Sequence, residues 1–181
     1  MNKPEVIKVL KEISILLELK GESVFKVRAY INAARALELL DENFESLLEN
    51  NELSKIDGIG SALSEKISLL YYSGNLPYYE SLKKSINPKL VKCLEIPGIG
   101  AKKLRLLNEK LGIEDEISLK KSCISGELAK LDGFGPKSSD NILAAIKYRE
   151  ANKDRHLWWS LKNLVYDIIN GLEKLKSVSR V

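Results

Sequence analysis

Three glycine loops in this 181-residue chain have the residue types and spacing to bind phosphate groups. Glycine lacks a Cβ atom, so it tolerates positive φ and lets another backbone approach closely. A tight glycine loop before a helix exposes backbone N–H groups at the positive end of the helix dipole, which suits a phosphate. The predicted phosphate ligands are Gly58, Gly60, Ser61, Gly98, Gly100, Gly133 and Gly135.

The three loops recur in similar surroundings. Each has an apolar residue, then Asp or Pro, then Gly, an apolar residue and Gly, followed by a helix start. Gly58 and Gly98 are 40 residues apart, and Gly98 and Gly133 are 35 apart. A pattern repeated at such intervals indicates repeated supersecondary units, each with its central apolar residue in the core. The alternative interpretation, ordinary glycine-terminated helix corners, is disfavoured by three copies.

Positive charge is concentrated near the second and third loops. The net charge is only +4, but residues 1–80 hold 9 Lys and Arg against 13 Asp and Glu, while residues 81–150 hold 14 against 9. Lys102 and Lys103 directly follow the second loop, and Lys137 follows the third. Charge in these places favours a DNA backbone as the partner. A solvated lysine surface is the alternative interpretation.

The composition excludes several kinds of site. No apolar run approaches the ~18–20 residues of a membrane span, so no membrane partner is predicted. Cys93 and Cys123 are isolated and His156 is the single histidine, so no Cys-based or multi-histidine metal site is expected. No signal-peptide pattern opens the sequence, which predicts a cytoplasmic location. The absence of glutamine and the 30% of charged residues favour a thermophilic source.

Apolar positions at helical spacing predict an all-α fold. No stretch alternates apolar and polar residues for long, so no sheet is expected. Ser23 and Ser118 are the predicted N-caps of two helices. Helices are predicted over about 4–20, 23–40, 44–48, 61–72 and 75–85, in the second loop unit over 90–112, and over 118–126, 136–150 and 157–175.

The three loop units resemble helix-hairpin-helix motifs, which bind the DNA backbone without reading base sequence. The resemblance implies a Na+ or K+ ion on loop carbonyls when DNA is bound, and no cofactor for chemistry. In the first hairpin those carbonyls would belong to Ser54, Ile56 and Ile59. In the second hairpin they would belong to Leu94, Ile96 and Ile99.

Nearly the whole chain resembles the amino-terminal part of family X DNA polymerases of bacterial and archaeal type. The residues that carry this resemblance are LKGE at 19–22, FKVRAY at 25–30, AARAL at 33–37 and LDGFGPKSSDNILAAIK at 131–147, with the first two hairpins between them. The Gly-Ser motif and catalytic aspartates of the family are absent, so no polymerase activity is predicted for this chain. A fragment and a stand-alone relative both remain open, with a palm domain as a possible partner in the same or another chain.

The resemblance also implies a domain division and a possible lyase site. Residues 1–86 would be a lyase-like domain with the first hairpin, 87–155 the other two hairpins, and 156–181 a carboxy-terminal helix. Lys66, with Glu65 beside it, matches the lysine that forms a Schiff base with an abasic deoxyribose. Lys26 and Tyr30 match contacts to the 5′-phosphate.

Three positions depart from the family's pocket. Ala62 and Tyr78 stand where lysines are expected, and Phe25 stands where a histidine is expected. The lost positive charge weakens phosphate binding and any Lys66 chemistry. An alternative interpretation of Lys66 is therefore a solvated lysine that only touches phosphate.

Two functional hypotheses follow from different classes. The first is a DNA-binding module for gaps, nicks or 5′-phosphate ends in DNA repair, which performs no chemistry. The second is a 5′-deoxyribose-phosphate lyase. A protein-interaction scaffold is a weaker third hypothesis, because the basic second half of the chain argues against it.

Overall fold

The computed structural model of the protein describes residues 1–40 and 44–152, together with Ile169 and Leu172. Over these residues the chain forms α-helices and short 3₁₀ helices and no strand, which confirms the all-α fold class. The helices are α1 Lys3–Leu19, α2 Val24–Glu38, α3 Phe44–Glu49, α4 Ser61–Ser73, α5 Pro77–Lys84, α6 Pro88–Lys92, α7 Ala101–Leu111, α8 Glu116–Ser125 and α9 Pro136–Ala151.

The main helix pair is formed by α1 and α2, which pack against each other. Leu10, Ile13 and Leu17 of α1 are fully buried, and Ala33 and Ala34 of α2 are buried with them. Small side chains on α2 let the two helix backbones approach closely, because they leave little volume between them. This pair forms the base on which the first loop is built.

The same hydrophobic cluster holds the first loop and α4 in place. Ile59 from the loop, Ile67 from α4 and Tyr30 from α2 all belong to it. Ile67 is fully buried, so its neighbour Lys66 emerges at the edge of the core. The side chain of Lys66 is therefore partly shielded from solvent.

Helix caps fix where α2 and α8 begin. The Ser23 hydroxyl accepts a hydrogen bond from the Lys26 amide at 3.3 Å, which confirms the predicted cap of α2. The predicted cap of α8 at Ser118 is wrong. Asp115 is the N-cap, because its carboxylate accepts from the Ser118 amide at 2.8 Å while the Ser118 hydroxyl accepts from the Asp115 amide at 3.1 Å. This reciprocal pair satisfies two amides at the helix start.

The chain divides into two compact units, 1–143 and 144–181. The first unit contains the three loops and helices α1 to α8. Most of the predicted helix over 157–175 lies outside the described residues. Within that range Ile169 and Leu172 are described, and both are helical. None of the helices described is long and apolar enough to cross a membrane.

Candidate nucleic-acid interface

The three loops share one local architecture. A 3₁₀ helix leads into each loop, over Leu53–Lys55, Cys93–Glu95 and Leu128–Lys130, and an α-helix leads out. A tight turn closes each loop, since the residue between the glycines donates its amide to the carbonyl three residues before it. These distances are 3.0 Å for Ile59 to Ile56, 3.2 Å for Ile99 to Ile96 and 3.0 Å for Phe134 to Leu131. The repeat predicted from the sequence is confirmed.

The central residue of each loop anchors it to the core. Ile59, Ile99 and Phe134 are all buried, with exposed fractions of 2%, 5% and 4%. Anchoring at this position pushes the flanking glycines outward, and both glycines of each loop are exposed. The loop backbone is therefore presented to solvent by a fixed base.

The first glycine of each loop is required by the protein's own backbone. Gly58 and Gly98 have φ of 89° and Gly133 has φ of 86°. A residue with a Cβ atom is strained in this region, because the Cβ comes too close to the following carbonyl oxygen. Glycine at these three positions therefore serves the fold itself.

The second glycine of each loop has no such requirement. Gly60 and Gly100 have φ of −77° and −101°, which any residue adopts. A Cβ atom placed on Gly60, Gly100 or Gly135 would meet nothing within 4 Å. The space in front of these glycines is open, and a ligand backbone or phosphate could enter it.

The first amides of the outgoing helices follow the second glycine of each loop directly in sequence. The first N–H groups of a helix have no partner inside the helix. In α4 the amides of Ser61 and Ala62, and in α7 those of Ala101 and Lys102, donate to no backbone carbonyl within the described part of the chain. The third loop has one donor fewer, because Pro136 begins α9. The first two loops therefore offer more amide donors to an anion.

The lysines near the loops are not equivalent. Lys102 and Lys137 are exposed. The Lys103 ammonium donates to the Gly98 carbonyl at 3.5 Å and lies 5.3 Å from the centroid of the Phe134 ring. Lys103 thus connects the second loop to the third, whereas Lys102 and Lys137 point into solvent.

Four side chains meet in a separate cluster that we call the amine pocket, formed by Lys26, Tyr30, Lys66 and Tyr78. The Lys66 ammonium donates to the Tyr30 hydroxyl at 3.0 Å and lies 4.5 Å from the centroid of the Tyr78 ring. The Lys26 ammonium lies 5.6 Å from the same centroid. The two tyrosine rings stack, with centroids 6.3 Å apart and planes at 10°. Residues from α2, α4 and α5 are therefore brought together.

The surroundings shift two pKa values in the amine pocket. Burial raises the pKa of Tyr30 to about 12, with a further contribution from Tyr78, so the phenol stays neutral at physiological pH. The pKa of the Lys26 ammonium is also raised, mainly by the nearby Tyr78 hydroxyl. Burial lowers this pKa by less, and Glu22 adds a further upward contribution. Lys26 pairs with Glu22 at 3.3 Å. Lys26 therefore remains a cation well above neutral pH.

The remaining predicted pocket residues lie elsewhere. Glu65 is exposed and lines an open groove with Ser61, Ser64 and Tyr72, and Lys66 is not among the residues of that groove. Phe25 is 83% exposed, although it adjoins Lys26 in the sequence. The family resemblance identified Tyr78 only as a departure from an expected lysine. In the structure its ring contacts both lysines of the pocket. No pattern in the sequence around the start of α5 predicts that role.

The loop carbonyls assigned to a cation by resemblance keep capacity for one. The Ile56 and Ile96 carbonyls each accept one turn hydrogen bond and retain a second lone pair. Carbonyl oxygens suit hard cations such as Na+ and K+. The described residues hold no group of three or more His, Cys, Asp or Glu side chains placed to bind a metal ion.

Alkaline pH is expected to destabilise the protein through Tyr30. Its folded pKa of about 12 lies above the ordinary tyrosine value of 10.0, so this contribution to the free energy of unfolding is complete below pH 10 and is lost as pH rises through 12. At pH 11 the loss is about 1 kcal/mol. Urea unfolding at pH 8 and pH 11 checks this. The Tyr30→Phe variant should lose less than wild type by about that amount, and equal losses in both proteins would contradict the assignment.

Comparison with known proteins agrees with this geometry. Residues 1–76 match the family of helix-hairpin-helix domains, and residues 86–148 match SAM-like helix-hairpin-helix tandems. The chain is similar to DNA polymerase/3′-5′ exonuclease PolX of Bacillus subtilis (strain 168), with 38% identity over 146 residues. That match covers 81% of this chain and 25% of the relative, so the chain spans about a quarter of the relative's length.

Proposed function

Because this chain carries the amino-terminal helix-hairpin-helix region of family X DNA polymerases, we propose that it binds DNA at gaps, nicks and 5′-phosphate ends during repair. The observation that carries this proposal is the loop geometry. Each loop combines a buried anchor, exposed glycines and open space in front of the second glycine. A phosphate can approach such a loop closely. A polymerase palm domain, in the same chain or another, is the partner we propose for this region.

The binding is independent of base sequence. Contacts from backbone amides and lysines to phosphate fix position on DNA but carry no base information. The loops offer amides, and Lys102 and Lys137 offer charge beside them. Preference for an end comes instead from the amine pocket, where Lys26 and Lys66 lie over one aromatic ring and can share a terminal phosphate.

Salt dependence tests the proposal. Binding to gapped duplex with a 5′-phosphate should weaken about 100-fold between 50 and 200 mM salt if about four phosphates are contacted, because counterions are released. Fluorescence anisotropy on two duplexes of unrelated sequence measures this. Lys102→Ala should reduce the slope of log affinity against log salt concentration by about one. The intact duplex is the DNA control.

Two results would contradict sequence-independent phosphate binding. One is equal affinity at both salt concentrations. The other is a strong preference for one of the two base sequences. Equal affinity for gapped and intact duplex would leave DNA binding in place and remove the proposed preference for gaps.

The second candidate function is a 5′-deoxyribose-phosphate lyase, favoured by the position of Lys66. Its nitrogen, once deprotonated, would attack the C1′ aldehyde of an abasic sugar and expel water to give an imine. Loss of a C2′ proton would then release the 3′ phosphate by β-elimination, and hydrolysis would free the lysine. Glu65 lies in another groove, and within the described residues the Lys66 nitrogen donates its hydrogen bond to the Tyr30 hydroxyl.

We also propose that a monovalent cation assists the first two hairpins. The carbonyls that would hold it are those of Ser54, Ile56 and Ile59, with Leu94, Ile96 and Ile99 in the second hairpin. Such an ion would supply positive charge beside a DNA phosphate. The retained lone pairs of the Ile56 and Ile96 carbonyls support this assignment.

A further inference from the structure

We propose that Tyr78 is the positioning residue that holds both lysines of the amine pocket toward a single 5′-phosphate. This inference rests on the proposed function. It assigns a role to a residue at which the chain departs from the polymerase family, where a lysine is expected.

The geometry places one ring under two cations. The Lys66 ammonium is 4.5 Å and the Lys26 ammonium 5.6 Å from the Tyr78 ring centroid. Cations are attracted to the negative face of an aromatic ring within about 6 Å. Two ammonium groups on neighbouring helices repel each other and would otherwise extend separately into water. The ring therefore keeps both of them at one place before any ligand arrives.

Tyr30 holds the Tyr78 ring in its orientation. The two rings are nearly parallel, and Tyr30 itself is only 2% exposed. Since Tyr30 also accepts the hydrogen bond from Lys66, the buried tyrosine orders both the ring and one of the cations. The buried Tyr30 thus orients the Tyr78 ring, and that ring in turn positions the two lysines.

The hydroxyl of Tyr78 is not needed for this positioning, which depends on the ring. The oxygen is buried and has no hydrogen-bond partner of normal geometry among the described residues. Leaving such a group unpaired costs free energy that a phenylalanine would avoid. The hydroxyl lies near the Lys26 ammonium and is the main cause of its raised pKa. An ordinary lysine is already charged at neutral pH, so removal of this hydroxyl should leave the charge of Lys26 unchanged there.

The lost family lysine is consistent with this arrangement. A third ammonium at this position would add charge, but it would also repel Lys26 and Lys66. An aromatic ring attracts the two existing cations instead. The pocket thereby offers two preorganised charges, which match the two charges of a terminal phosphate monoester better than the single charge of an internal phosphodiester.

The test separates the ring from the hydroxyl. Tyr78→Leu removes both, Tyr78→Met fills a similar volume without an aromatic face, and Tyr78→Phe keeps the ring. The measured quantity is the affinity of gapped DNA with a 5′-phosphate divided by that of the same DNA with a 5′-hydroxyl. We expect Tyr78→Leu and Tyr78→Met to lower this ratio at least fivefold. Tyr78→Phe should stay within twofold of wild type at pH 7.

A second measurement is made on the free protein. Methylene protons of Lys66 should show upfield NMR shifts in wild type and Tyr78→Phe. In Tyr78→Met the shifts should fall to the part contributed by the Tyr30 ring, whose centroid lies 5.5 Å from the Lys66 ammonium. Wild-type ratios in both non-aromatic variants, or absent ring shifts in wild type, would overturn the inference. Ring shifts as expected in a wild-type protein that does not prefer the 5′-phosphate would uphold the positioning of the lysines. That result would overturn the proposed end recognition instead, so the two failures are distinguishable.

Discussion

Borohydride is expected to trap a covalent adduct between this protein and DNA that bears a 5′ abasic sugar phosphate, and Lys66→Ala is expected to give none. Reduction fixes an imine as a stable secondary amine, so trapping reports amine chemistry directly. The physical basis is the position of the Lys66 nitrogen, which lies at the core edge beside Tyr30 and above Tyr78. Gel electrophoresis of the labelled DNA measures the adduct.

Matched variants define what the trapping result means. Lys26→Ala should reduce the adduct severalfold by weakening the grip on the phosphate. Lys84→Ala, an exposed lysine of α5, should leave it unchanged. Yield should rise with pH, because an amine attacks only after it loses its proton. An adduct that persists in Lys66→Ala would assign the chemistry to another amine. Good DNA binding without trapping at any pH would leave the chain as a binding module.

Gly100→Val is expected to weaken DNA binding at least about tenfold, or about 1.4 kcal/mol, while the protein remains folded. The φ of Gly100 suits any residue, and a Cβ there meets no protein atom within 4 Å. The new side chain would instead occupy the space that the proposed phosphate enters. Anisotropy measures the binding loss, and circular dichroism with thermal unfolding measures the fold.

Gly98→Val provides the contrast, because its φ of 89° is strained for any residue with a side chain. It should lower the free energy of unfolding by about 1–2 kcal/mol and also weaken DNA binding. Gly112→Ala is the control, since Gly112 has φ of 62° but ends α7 away from the loop glycines. It should reduce stability without changing DNA affinity. If both loop variants fold and bind as wild type does, the second hairpin does not contact DNA.

Local patterns in the sequence were sufficient to predict most of the fold. Apolar residues that recur about every 3.6 positions predict the helices, because this spacing places them on one face of each helix. The anchoring roles of Ile59, Ile99 and Phe134 were also predictable, since a single apolar residue between two glycines must be buried for the loop to close. The cap of α8 was missed because Asp115 and Ser118 bond to each other, and either could have been the cap.

The details of the candidate site depend on tertiary packing and could not be read from sequence. Lys102 and Lys103 are adjacent, but only Lys103 reaches the third loop, because successive helix residues point about 100° apart. The same rotation carries Glu65 away from Lys66. Tyr78 joins the amine pocket only because α5 packs where its ring can stack on Tyr30. No local pattern encodes that meeting.

Lys103, which contacts both the second and the third loop, would make DNA affinity depend on the shape of the duplex. Its contacts with the Gly98 carbonyl and the Phe134 ring link the second and third loops. Once one loop holds a phosphate, the other experiences a high effective concentration of DNA only if the next phosphates lie at the matching distance. That distance changes when a duplex bends, and duplex bends readily where one strand is interrupted. Two linked loops would therefore bind most tightly to DNA whose curvature places successive phosphates at that distance.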